Sequence, residues 1–98
     1  MIKVIVTKNS IIISGHANFD EYGKDIVCAS VSTMVTTSVN DMMSINQKAL
    51  SYNDDGKRIV IQLKKYDELV LKLFRNLIHL LKNLAEDYPQ NIKIESEE

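Results

Sequence analysis

Apolar and polar residues alternate over residues 2–7, with Ile2, Val4 and Val6 on one side and Lys3, Ile5 and Thr7 on the other. A period of two built from β-branched side chains predicts a half-buried β-strand. Lys8-Asn9-Ser10 is short and polar, and Ile11-Ile12-Ile13-Ser14-Gly15-His16 reads as the returning strand of a hairpin. Residues 17–24 have no period and carry Asn18, Asp20 and Gly23, the composition of a loop. Asp25 is a favourable helix N-cap, because its carboxylate can accept from the first free backbone N–H groups. Beyond it the period lengthens to about 3.6 residues. Val27, Val31, Met34, Val35, Ser38, Val39 and Met42 then share one face. The β-branched residues of this stretch favour a strand by propensity, but the stripe is too long for one and packing overrides propensity. The helix is expected to fade near Asn46.

The second half repeats the pattern. Ala49–Asn53 and Arg58–Leu63 are β-rich runs joined through Asp54-Asp55-Gly56, a strong hairpin signal. A second helix is predicted from about Asp67 to Tyr88, burying Leu69, Leu73, Leu77, Leu80, Leu81 and Leu84. Val70, Leu71, Phe74 and Ile78 flank that stripe, which makes the helix apolar on more than one face and suggests a partner helix. Pro89 stops the helix, and Asn91–Glu95 reads as a last strand. The order ββαββαβ predicts an α+β fold, one mixed sheet packed by two long helices. Residues 1–98 are expected to form a single domain.

Bulk properties narrow the function classes. The 98 residues, 45% apolar and 26% charged, are ordinary for one globular domain. The formal net charge is −1 and no sustained basic block is present, so no direct nucleic-acid partner is expected. The short pairs Lys57-Arg58 and Lys64-Lys65 fit a solvated strand face. No apolar run approaches the roughly 20 residues that cross a bilayer, and the alternating start does not resemble a signal peptide. With one cysteine no intrachain disulfide is possible, which suits a cytoplasmic protein with a free thiol.

Reactive residue types gather between Gly15 and Ser32. His16 closes a predicted strand, where a rigid scaffold can aim a side chain into a cleft. Cys28 falls in the first helical turn, where unpaired N–H groups and the positive end of the helix dipole favour a thiolate. The loop between them is long enough to bring the two within hydrogen-bond reach. Each residue also has a plainer explanation. Cys28 lies at the edge of the apolar stripe and fits an inert core thiol. Asp25 is accounted for as a cap, and Ser32, one turn past Cys28, fits a serine bonding back to a carbonyl. Phe19 and Tyr22 suit either a lid over a substrate or an anchor for their own loop. A cysteine phosphatase is excluded, because it needs an arginine in the nucleophile's loop and the chain has only Arg58 and Arg75. Cys28, His16 and His79 match no common zinc spacing, and neither a metal nor another cofactor is expected.

The string Gly15-His16-Ala17, Gly23, Asp25-Ile26-Val27-Cys28-Ala29 and Val31-Ser32 resembles the signature of the ribosomal-processing cysteine protease family, Prp. Met1-Ile2-Lys3-Val4, Asn40 and Tyr88-Pro89 extend the resemblance over nearly the whole chain. The resemblance implies a catalytic pair at His16 and Cys28, with Asp25, Ser32, Gly15 and Gly23 supporting the site. It implies a homodimeric cysteine endopeptidase that removes the N-terminal extension of a large-subunit ribosomal protein precursor, in support of ribosome assembly. The alternative is a non-catalytic dimeric module associated with the ribosome.

Overall fold

The structure, a computed structural model, describes residues 1–21 and 24–97. Its elements follow the predicted order: β1 (Ile2–Thr7), β2 (Ser10–Ser14), α1 (Ile26–Asn46), β3 (Leu50–Asp54), β4 (Arg58–Leu63), α2 (Glu68–Asp87) and β5 (Ile92–Glu97). The five strands form one mixed sheet in the order β3-β4-β2-β1-β5. Three neighbouring pairs are antiparallel, and β5 returns parallel to β1 after the α2 crossover.

The alternation of β1 decides which face is covered. Ile2, Val4 and Val6 are buried and pair in register with Ile92, Ile13 and Ile11, placing one apolar face across three strands. That face and the buried stripes of both helices make one core. Ile5, Ile12 and Val60 lie in register across the opposite face and are only half-buried.

Each helix starts on an aspartate. Asp25 Oδ1 accepts from Val27 N and Cys28 N, and Asp67 Oδ1 accepts from Leu69 N and Val70 N. These bonds satisfy donors that have no partner within the helix. The stripe of α1 is as expected: Val27, Val31, Val35, Val39 and Met42 are buried, with Met34 and Ser38 half-buried beside them.

The stripe of α2 differs from its prediction. Val70, Phe74, Leu77, Leu81 and Leu84 are buried, Leu73 and Leu80 are half-buried, and Leu69 is 59% exposed. Starting the pattern at Leu69 instead of Val70 turned the first half of the helix by one residue, about 100°. Val70 and Phe74 therefore belong to this chain's own core, and they leave no apolar face of their own for a partner helix.

Ile61 is fully buried on the interior strand β4, paired with Ile11 and Tyr52. Ile61→Val removes one buried methylene and is expected to cost about 1 kcal/mol. Urea unfolding should show this as a lower midpoint with an unchanged slope.

Candidate active site

The β2 strand ends at Ser14, two residues earlier than its sequence suggests. Gly15 has a φ of +85°, and a Cβ there would collide with the Met1 carbonyl oxygen. Only glycine permits both the turn and that close approach. His16 thus projects from the bend after the strand and is exposed. Gly15 is in this way the hinge that fixes where the imidazole starts.

Cys28 enters from the other side, on the first turn of α1, and is half-buried. A groove runs over it in two parts. One depression of about 410 Å³ lies toward β2 and the β3–β4 turn, with Val31, Ile59 and Lys57 in its walls. The second, of about 570 Å³, lies toward the loop and is lined by Asn18, Asp20, Asp25 and Ala29. His16, Cys28 and Ser32 line both parts, so they stand at the junction of the groove. Ser32 is exposed one helical turn beyond Cys28. Sequence spacing allowed His16 and Cys28 to approach one another and put Ser32 one turn beyond Cys28.

The imidazole is not hydrogen-bonded to Sγ. Sγ instead accepts from the backbone N–H of Ala17, at 3.3 Å. The Ala17 carbonyl accepts from Asn91 Nδ2 at 3.0 Å. Neither contact has a sequence signal, since one is a backbone group and the other spans 74 positions. Equally, the N–H groups of Cys28 and Ala29, at the helix start, are already committed. Cys28 N donates to Asp25 Oδ1 and Ala29 N donates to the Asp25 carbonyl, both at 3.0 Å. Among the described residues, the Ala17 amide is the donor that points at the sulfur.

Asp25 does more than cap. Its Oδ2 accepts from Phe19 N at 2.9 Å and from Asp20 N at 3.4 Å, so one carboxylate ties the loop to the helix start. Partial desolvation pushes this carboxyl up, but the donors of Cys28, Phe19, Asp20 and Val27 together outweigh it and hold the pKa below the usual carboxylate range. Hydrogen bonds also hold Asp67 down, from Val70 N first and Asn46 next, and Asp55, from Arg58 N first and Lys57 N next.

A carboxyl whose pKa is lower in the folded state stabilises the fold above its unfolded value, about 3.9, and loses that stabilisation as pH falls through the folded value. The melting temperature should therefore fall as pH drops below about 4. Asp25→Asn should melt lower than the parent at pH 7, and the gap should narrow in acid. A gap that is constant with pH would contradict a role for the Asp25 charge.

The loop has an aromatic anchor as well. The Phe19 ring meets Tyr88 edge-on, with centroids 5.3 Å apart and planes at 86°, while Phe19 stays 44% exposed. Tyr22 and Gly23 lie outside the described residues.

Residues 1–93 match the family described as cysteine protease Prp. The chain belongs to that family. Among curated relatives, the ribosomal processing cysteine protease Prp of Staphylococcus aureus is 32% identical, covering 96% of this chain and 97% of its own. The Prp of Mycoplasma genitalium is also 32% identical, with 99% and 97% covered. A crystal structure of the essential ribosomal processing protease Prp from S. aureus, in complex with a covalently linked product peptide, superposes with a TM-score of 0.92. It is 28% identical and matches 99% of this chain and all of that one. The same S. aureus protease with a substrate peptide gives 0.87 at 25% identity, with the same coverage. Membership of the Prp family makes this protein a cysteine peptidase and removes the non-catalytic alternative. No described helix is long and apolar enough to cross a membrane.

Proposed function

We propose that this protein is an endopeptidase that removes the N-terminal extension of a large-subunit ribosomal protein precursor, with Cys28 as nucleophile and His16 as its base. The observation that carries the assignment is the groove whose two halves share His16, Cys28 and Ser32. A groove open on both sides of a thiol suits an extended peptide passing across it. The ribosomal character of the substrate rests on the relatives, which are ribosomal processing proteases.

His16 takes the thiol proton as Sγ attacks the scissile carbonyl carbon. The oxyanion collapses, the C–N bond breaks, and His16 returns the proton to the departing amine. Water, activated by the same imidazole, then cleaves the thioester and regenerates the thiol. The imidazole hydrogen bond to Sγ forms once peptide fills the groove, because such contacts often tighten only in the substrate complex. Asp25 supports this site by holding the loop against the helix. In this reading Ser32 bonds peptide or sulfur, Gly15 turns the chain into the loop, and Phe19 contributes apolar surface to it.

Incubation with the host's extended precursor should release one N-terminal peptide of defined mass, while the precursor lacking its extension stays intact. An uncut extended precursor would overturn the substrate assignment.

The protein acts in the cytoplasm as a homodimer. The half-buried row Ile5, Ile12 and Val60 on the uncovered sheet face supports self-association. Light scattering should then give twice the 11.2 kDa chain mass, and a monomer at micromolar concentration would exclude the dimer.

A further inference from the structure

Four cations meet at the end of the sheet away from Cys28. Lys8 lies in the β1–β2 turn, Lys64 and Lys65 follow β4, and Arg75 stands two turns into α2. They come from three separate stretches of the sequence, so no basic block marks them and only the fold assembles them. Backbone bonds fix their positions. Thr7 Oγ1 accepts from Asn9 N and Ser10 N, which sets the turn. The Asn9 carbonyl accepts from Leu63 N at 2.8 Å, and the Ala49 carbonyl from Lys64 N at 2.7 Å. Two depressions of about 250 and about 520 Å³ share Lys8 and Arg75, and the first is also lined by Lys64, Lys65 and Tyr66.

The charge here is unbalanced. Asp67 lines the same space, but its Oδ1 accepts from Leu69 N and Val70 N and its Oδ2 from Asn46 Nδ2. Among the described residues none of the four cations forms a salt bridge; the pairs formed are Lys24–Glu21 and Lys93–Glu95. At the border, exposed Glu68 and Glu97 are offset by exposed Lys48 and Lys72. The patch is therefore positive on a chain whose formal net charge is −1. Tyr66 stands among these cations with 81% of its surface exposed, and the aromatic pair of the described residues, Phe19 with Tyr88, does not involve it.

We propose that this patch binds single-stranded RNA, with phosphates along Lys8, Lys64, Lys65 and Arg75 and a base stacked on Tyr66. Cations alone would suit any polyanion. An exposed ring set among them suits a nucleic-acid strand, because every nucleotide brings a phosphate and every base a π-face. An acidic peptide would use the charges and leave the ring idle. The choice of RNA rests on the reading above that the substrate is a ribosomal protein precursor. Strand β4 runs from Arg58, in the wall of the catalytic groove, to Leu63 beside the patch, a rise of roughly 17 Å. Peptide and RNA are thus bound at separate places, and the peptidase can act on a precursor already associated with RNA.

The test is fluorescence anisotropy of a labelled single-stranded RNA of about 12 nucleotides, titrated with the full chain at about 25–200 mM salt. Four phosphate contacts give a slope of log affinity against log salt of about −3. Replacing both Lys64 and Lys65 by alanine should halve that slope. Tyr66→Ala should weaken binding about tenfold and leave the slope unchanged. Lys3→Ala, an exposed lysine outside the patch, should change neither. Thermal melts confirm that each variant is folded, and all should cut the isolated extension peptide like the parent, since none alters the catalytic groove.

No binding at about 25 mM salt, or binding that the lysine and tyrosine variants leave unchanged, would overturn the inference. Equal affinity for a polyglutamate peptide, with Tyr66→Ala undiminished, would also overturn it and make the patch a general polyanion surface. A parent that binds RNA but leaves the extended precursor uncut would overturn the proposed substrate and leave the RNA site standing.

Discussion

Cys28→Ala is expected to abolish cleavage of the precursor peptide, lowering kcat/KM by about 10⁴-fold or more, while the melting temperature stays close to that of the parent. Removing a nucleophile from an enzyme of this type leaves only what binding and charge stabilisation supply. The fold should tolerate the change because Cys28 is only half-buried and lies at the margin of the α1 stripe. The cap also survives, since Asp25 bonds the backbone N–H of residue 28 and not its side chain. Cleavage assays with matched thermal melts check both halves of the expectation. A variant that unfolds would mean that the thiol's packing matters more than its chemistry. A variant that cleaves normally would end the assignment.

His16→Gln is expected to lower kcat by about 10³-fold at neutral pH with little change in KM. General acid–base catalysis contributes roughly 10²–10⁴ in rate, and here one imidazole would serve both acylation and thioester hydrolysis. The substitution keeps a polar side chain of similar reach on the same exposed bend, so binding in the groove should persist. In the truncated variant His16→Ala, added imidazole should restore part of the lost rate, because the emptied space opens to solvent in both halves of the groove. If His16→Gln keeps more than a tenth of the parent rate, another group is the base.

The fold was largely legible because its signals are local. The alternation of β1, the aspartate caps at residues 25 and 67, and Pro89 after α2 each act within a few residues, and each marks a boundary that the structure places within a residue or two. The α2 stripe was turned because leucines stand on both sides of the true core line. Val70 and Phe74 are set in the core by the sheet they meet, which no helical period encodes. The strand running into His16 stopped short because Gly15 must turn beneath Met1, a contact between residues fourteen positions apart.

The site divides in the same way. His16, Cys28, Asp25 and Ser32 are reactive or capping residue types at readable spacing, whereas the groove that His16, Cys28 and Ser32 share is formed only by the fold. The Ala17 amide was not, because every residue but proline carries an N–H and alanine gives no sign that this one matters. Nor was Asn91, whose partner is set only when β5 docks beside β1 and brings the chain's end to its beginning. The amides at the helix start are not free either. A good cap consumes the very donors that an uncapped helix would have offered.

The central claim is that Cys28 carries the acyl half of the substrate between two chemical steps. The measurement that tests it most directly is the intact mass of the protein, acid-quenched while it turns over an activated ester of the extension peptide. With the ester, acylation outpaces hydrolysis of the thioester and the intermediate accumulates. The expected result is a mass increase equal to the peptide acyl group, mapped by digestion to Cys28 and absent from Cys28→Ala. Release of the alcohol with no adduct on Cys28, or with the adduct on another residue, would contradict the account.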